Sequence, residues 1–178
     1  MSRYELTRWS GLAGLVSGLL IIAGAIALQF TEPIVTGTLF ASGHILLFFL
    51  LSGVYSVQYS ATGYVGLLGY VIATVGNALL IAAAASFMLS RVEIAEEIFP
   101  VASPVTGILF AIGLLLLALS NSRVRALPSW PGWLMFVGIA LDQILVRLPG
   151  DLPQLALAAP TLLLGLGVAG FGWVIRKN

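Results

Sequence analysis

The sequence offers few side chains that can do chemistry, and three of them lie inside long apolar stretches. The chain has one histidine and no cysteine among its 178 residues. The lack of cysteine excludes disulfides, thiolate catalysis, iron–sulfur clusters and cysteine-ligated zinc. His44, Asn77 and Asp142 each stand within an apolar run. An ionisable group is costly to bury in lipid, so its presence there is a reason to look for a function.

These three residues are interpreted as candidate members of one polar site inside a membrane. Histidine titrates near physiological pH, so a His44–Asp142 pair could bind or relay a proton, with Asn77 as a third member. Gly138 lies one helical turn before Asp142, and Gly37 shares the helical face of His44. Glycine on such a face favours contact between helices over contact with lipid. Both ionisable side chains are therefore expected to point into a helical bundle.

A structural reading of the same residues stays open. Asp142 could form a salt bridge with Arg147 near the outer surface, although their spacing is poor for a pair on one helix. His44 could simply hydrogen-bond a neighbouring helix. A haem held by His44, with Met88 or Met135 as second ligand, is chemically allowed. Nothing in the sequence favours it, and neither a cofactor nor a metal site is predicted.

The composition indicates that lipid is the natural solvent of this chain. Hydrophobic residues make up 60% and charged residues 8% of the sequence, and the mean hydropathy is +1.07. Soluble domains carry about 25% charged residues. The net charge of +1 provides no basic surface for nucleic acid. We therefore expect an integral membrane protein whose main partner is the bilayer.

The polar residues must be positioned by helices of about 20 residues, the length that crosses a bilayer. The chain is expected to form one all-α domain, a multi-pass bundle of six transmembrane helices joined by short breaks that make neighbours antiparallel. The spans are expected at about 11–30, 34–57, 64–89, 101–120, 130–148 and 152–175. Arg3 and Arg8 before the first run resemble a signal peptide, but that run exceeds the usual 7–15 residues. The first helix is therefore expected to be retained.

The basic residues predict the orientation of the bundle. With six spans, six basic residues lie on one side of the membrane and two, Arg91 and Arg147, lie on the other. Basic residues accumulate on the cytoplasmic side, so both termini are expected to be cytoplasmic, in a plasma or inner membrane. The larger group consists of Arg3, Arg8, Arg123, Arg125, Arg176 and Lys177.

Two sequence patterns bear on how the helices associate. Gly14 and Gly18 form a GxxxG motif, which suits close packing within the bundle or between subunits of a homo-oligomer or larger membrane complex. Packing within one chain is the favoured reading. An aromatic residue followed two positions later by glycine opens three of the predicted helices, which suggests three tandem hairpins, although aromatic residues are common at membrane interfaces anyway. These pairs are Trp9 and Gly11, Tyr64 and Gly66, and Trp130 and Gly132.

The most charged stretch, residues 91–99, alternates apolar and acidic faces at helical spacing. It is predicted to be a short amphipathic helix on the outer leaflet, with its acidic residues forming a solvated face.

No hydrolase elbow, P-loop or zinc-protease motif is present, so the sequence does not indicate an enzyme. The favoured function is a structural or accessory subunit, or a binder of lipid or other apolar molecules. The alternative is a transporter or channel for a small solute or proton that uses Asp142, His44 and Asn77. A cavity reaching both ionisable residues would favour transport if filled with water, and an apolar pocket would favour binding.

Overall fold

The computed structural model describes residues 3–30, 32–88, 94–148 and 154–177. This part of the chain forms five helices and no strands, so the all-α prediction is confirmed. Four of the helices are long and apolar enough to cross a membrane, and α4 is a shorter apolar helix of 16 residues. The helices are α1 (Arg3–Ala27), α2 (Pro33–Met88), α3 (Ile94–Val124), α4 (Trp130–Leu145) and α5 (Gln154–Lys177).

Helix α2 reverses direction at Gly63, within the break expected between the spans at 34–57 and 64–89. Gly63 has φ 55° and ψ −152°, a backbone conformation that essentially only glycine adopts. The two arms of α2, residues 33–62 and 64–88, then pack side by side. The rings of Tyr55 and Tyr70 stack with centroids 4.7 Å apart, and the Ser52 hydroxyl lies 3.1 Å from that of Tyr70. Residues before the turn thus meet residues after it, so the arms are antiparallel.

Helix α3 begins earlier than predicted. It starts at Ile94 and continues through Pro100, whereas the sequence placed the start of a span at residue 101. Proline is tolerated inside apolar helices because neighbouring groups can satisfy the backbone carbonyl that it frees. Residues 94–99 of the predicted amphipathic helix are therefore the first turns of α3. Residues 91–93, and the side chains of residues 94–99, lie outside the described part of the chain.

Consecutive helices pack against each other, and α1 packs against α5, so the described helices form a closed ring. Contacts along α1 and α5 run in opposite directions: Gly11 lies against Gly172, and Gly18 lies against Gly165. Antiparallel neighbours place the beginning of α1, the turn at Gly63, residues 125–129 and the end of α5 together. We call this the proximal end of the bundle, and the opposite end the distal end.

The side chains are arranged as expected for a protein surrounded by lipid. The outward face of α1 exposes Leu12, Val16 and Leu19, and the other helices also expose large apolar side chains. Polar residues such as Asn77 and Asn121 are buried. Exposed apolar surface on this scale is unfavourable in water, so the helices indicate a membrane protein.

Candidate functional site

A cavity of about 270 Å³ opens into the distal end of the bundle. It lies between the end of α1, both arms of α2, the end of α4 and the beginning of α5. Four of its fourteen lining residues are polar, namely Thr36, His44, Asp142 and Thr161, and the others are apolar. The apolar residues are Leu28, Gly37, Phe40, Leu80, Ala83, Ala84, Gly138, Ile139, Pro160 and Leu164.

His44 is held at the cavity by Asn77 from the other arm of α2. The Asn77 Nδ2 group donates to the His44 backbone carbonyl at 2.8 Å, which identifies Oδ1 as the acceptor facing the imidazole. His44 Nδ1 lies 2.7 Å from that oxygen and must therefore donate. In a neutral imidazole this leaves the lone pair on Nε2. The ring also makes an edge contact with Phe110, at 6.2 Å between centroids.

Asp142 is positioned by Gln143, which the sequence reasoning overlooked. The Gln143 side-chain amide donates to Asp142 Oδ2 at 3.2 Å. Arg147 donates to both the backbone carbonyl and the side-chain oxygen of Gln143. Arg147 thus reaches Asp142 through Gln143 and not by a direct hydrogen bond. The spacing could have revealed this, because residues four apart on a helix are neighbours and residues five apart are not.

The structure brings the three candidate polar residues to one place. His44 and Asp142 line the same cavity, and Asn77, which is fully buried, supports His44 from behind. Thr36 was also overlooked, although it precedes His44 by about two helical turns and so shares its face. Thr161 had no signal of its own in the sequence.

The other candidate residues lie elsewhere. Gly14 contacts Leu50 and Gly172, and Gly18 contacts the α5 backbone, so both lie in contacts within the chain. Met135 is buried in the core, and the side chain of Met88 lies outside the described residues. Among the residues that the structure describes, no three His, Cys, Asp or Glu side chains are grouped to hold a metal ion.

A second buried polar cluster lies at the proximal end. The Gln58 side-chain nitrogen donates to Asn121 Oδ1 at 2.7 Å, and Asn121 Nδ2 donates to the Pro128 carbonyl at 2.9 Å. Gln58 and Asn121 are each 1% exposed. These bonds tie the first arm of α2 to the end of α3 and to the loop that follows it. This pair was not predicted, because the spans expected from the sequence end at residues 57 and 120 and place both amides in the breaks between helices.

The distal cavity combines two titratable hydrogen-bond acceptors, His44 and Asp142, with walls that are mainly apolar. The Nε2 lone pair of a neutral His44 imidazole and the carboxyl oxygens of Asp142 can both accept hydrogen bonds. Such a site suits a molecule that has an apolar body and a donor group.

Comparison of the chain with protein-family models, with curated proteins and with solved structures finds no match.

Proposed function

We propose that this is a multi-pass membrane protein that binds a small amphipathic molecule in the distal cavity. The observation that carries the proposal is that His44 and Asp142 line a single cavity whose remaining walls are mainly apolar. Binding pockets commonly combine apolar walls with a few polar groups that orient the ligand. The residues that would orient the ligand are His44 and Asp142, and Asn77 would hold His44 in place.

The cavity limits the size and chemistry of the ligand. An apolar cavity of about 150 Å³ holds one benzene molecule, so a cavity of about 270 Å³ suits roughly ten non-hydrogen atoms on the same scale. His44 and Asp142 both accept hydrogen bonds, and Asp142 in its ionised form also attracts a cation. The expected ligand is therefore an apolar molecule carrying a hydroxyl or an ammonium group.

The packing of the interior favours binding over an open pore. On the proximal side of His44 the bundle is filled by buried apolar side chains, including Leu47, Leu50, Phe110 and Leu114. Transport of a solute or proton by Asp142, His44 and Asn77 would require this core to open. The distal cavity by itself needs no such movement to take up a ligand.

The proposed topology has six membrane-crossing segments, with both termini cytoplasmic and the distal end outside. The antiparallel ring formed by α1, the two arms of α2, α3, α4 and α5 supports it, as does the division of the basic residues. Helix α4 has 16 residues, or about 24 Å at 1.5 Å per residue. A segment this short is accommodated by local thinning of the bilayer.

The binding proposal is tested with three probes of similar size, measured by calorimetry on the chain in lipid nanodiscs. Phenethylamine and phenethyl alcohol carry a donor, and ethylbenzene carries none. We expect phenethylamine to bind most tightly and ethylbenzene most weakly. Asp142→Asn should weaken the amine about tenfold, since hydrogen bonds to charged groups contribute about 1.5–3 kcal/mol, and should change ethylbenzene little. Equal binding of all three probes, or phenethylamine binding unaffected by Asp142→Asn, would refute the proposal.

A pair of alanine substitutions separates the cavity from the surrounding lipid. Ala84 lines the cavity, whereas Ala82 is exposed on the outside of the same helix. Ala84→Leu should abolish binding of all three probes by filling the space, and Ala82→Leu should leave it unchanged. Uptake of phenethylamine into liposomes that depends on Asp142 would instead support the transport alternative.

A further inference from the structure

A second, more polar cavity lies at the proximal end of the bundle, far from His44 and Asp142. Its volume is about 700 Å³, and it is lined by the end of α3, the loop of residues 125–129 and the end of α5. The side chains that define its chemistry are Asn121, Ser122, Arg125, Ser129, Trp173 and Lys177.

The lining of this proximal cavity is positively charged. Arg125 and Lys177 both line it, and none of its lining residues, all within the described part of the chain, is acidic. The Lys177 ammonium lies 3.8 Å from the centroid of the Trp173 ring, a cation–π contact that holds the charge beside the cavity. Two basic side chains that converge on one cavity form a site for an anion.

The backbone around the cavity adds to this preference. Helix α4 begins after Ser129, whose side chain makes no capping hydrogen bond, and the N-terminal end of a helix carries partial positive charge. Helix α3 ends at Val124, and the next residue, Arg125, has a φ of 55° and donates its backbone N–H to the Asn121 carbonyl at 2.9 Å. This left-handed conformation, usually taken by glycine at the end of a helix, turns the chain so that the arginine lines the cavity.

The loop that carries Arg125 is anchored from inside the bundle. Asn121, which is 1% exposed, donates to the Pro128 carbonyl and accepts from Gln58. Because both amides are buried, the loop is held from within the bundle as well as by the ends of α3 and α4. A cavity supported in this way presents its charges in a preformed arrangement, which reduces the entropy lost on binding.

The surface beside the cavity indicates what kind of anion it meets. Trp130 is 47% exposed and Trp173 is 50% exposed, and tryptophan is enriched where membrane meets water. Leu166, on α5, is also exposed and continues the apolar surface away from the proximal end. A ligand that places an anionic group at the membrane–water interface and an apolar chain along α5 has the chemistry of an anionic phospholipid. Basic pockets between membrane helices bind such headgroups.

We propose that the proximal cavity binds the phosphate headgroup of an anionic phospholipid. Arg125 and Lys177 pair with the phosphate, and Ser129 at the start of α4 donates a hydrogen bond to it. The acyl chains lie against the exposed apolar face of α5. This site is independent of ligand binding in the distal cavity.

The test measures lipid retention by native mass spectrometry of the full chain, after exchange into phosphatidylglycerol or phosphatidylcholine of the same chain length. We expect phosphatidylglycerol to be retained more strongly. Arg125→Gln and Lys177→Gln should each weaken its apparent affinity about fivefold, which corresponds to about 1 kcal/mol per basic residue near an anionic leaflet. Arg8→Gln removes the same charge from an exposed position outside the cavity and should have little effect.

Further measurements distinguish a lipid from a soluble phosphate and guard against misfolding. Millimolar glycerol 3-phosphate should not displace phosphatidylglycerol, and displacement would identify a soluble phosphate as the ligand and overturn the lipid proposal. Equal retention of the two lipids by the unaltered chain would also overturn it, whatever the variants do. If Arg8→Gln lowers lipid retention as much as the two cavity variants do, the effect is due to net charge alone and the proposed site is refuted.

Discussion

Replacing Asn77 with leucine tests the hydrogen bonds that join the two arms of α2 and orient His44. The substitution keeps a side chain of similar size and removes both bonds, one to the imidazole at 2.7 Å and one to the His44 carbonyl at 2.8 Å. His44→Phe removes only the first, because the second uses the backbone. The two variants and their combination form a double-mutant cycle that isolates the side-chain bond.

The size of the effect follows from the number of bonds removed. Side-chain hydrogen bonds between membrane helices contribute about 0.6 kcal/mol on average and about 1.7 kcal/mol at most. Asn77→Leu should therefore lower the free energy of unfolding by about 1.2–3.4 kcal/mol, twice the value of one bond. His44→Phe should cost about half as much. Asn77→Leu already removes both hydrogen bonds, so the double variant should be no less stable than Asn77→Leu alone. The coupling energy should therefore equal the contribution of one hydrogen bond.

Unfolding is followed in mixed micelles by titration with a denaturing detergent, for all four proteins. His44→Phe combined with Asn121→Leu is the matched control, because Asn121 lies at the proximal end in a different polar pair and should not couple to His44. As the chain has one histidine, nitrogen NMR of the imidazole reports its tautomer directly. We expect the proton on Nδ1 in the unaltered chain. A coupling energy below about 0.3 kcal/mol, the range of additive pairs, with the proton on Nε2 would refute the assigned network.

Three further predictions concern packing and topology. Gly18→Leu should destabilise the chain by about 1–3 kcal/mol, as overpacking does, because a methyl group there would lie 2.5 Å from a backbone oxygen of α5. Val16→Leu, on the exposed face, should not destabilise it. A change in oligomeric state on Gly18→Leu without loss of stability would contradict the packing of Gly18 within the chain. Gly63→Ala should lower the free energy of unfolding by about 1–3 kcal/mol through backbone strain, since the added methyl group meets nothing within 4 Å beyond the adjacent residues and the backbone of its own helix. An unchanged unfolding midpoint would show that the turn does not have this conformation. The chain has no cysteine, so single cysteines introduced as Ala61→Cys or Leu148→Cys can be labelled in intact cells with an impermeant maleimide. Only Leu148→Cys should react, because residue 148 lies at the distal end. Labelling of both variants would refute the proposed topology.

Much of the architecture could be predicted from the sequence because it depends on local chemistry. Apolar runs of about 20 residues satisfy their backbone hydrogen bonds internally, and this requirement makes helices in lipid predictable from composition. The turn at Gly63 lies in the break expected between the second and third spans. The start of α3 was not predicted, because proline ends a helix in water but is tolerated within an apolar helix whose neighbours compensate for it.

The sequence alone determined that this is an apolar, all-helical chain with rare polar residues at His44, Asn77 and Asp142, because hydropathy and cost of burial are properties of each residue type. Only the tertiary structure decided which of these residues meet. The antiparallel arms of α2 bring Asn77 to His44 across 33 positions, and the ring of helices brings Asp142 to the same cavity. Helical spacing specifies the face on which a side chain lies but not the helix that packs against it. For the same reason the buried pair of Gln58 and Asn121 emerged only once the helices were packed.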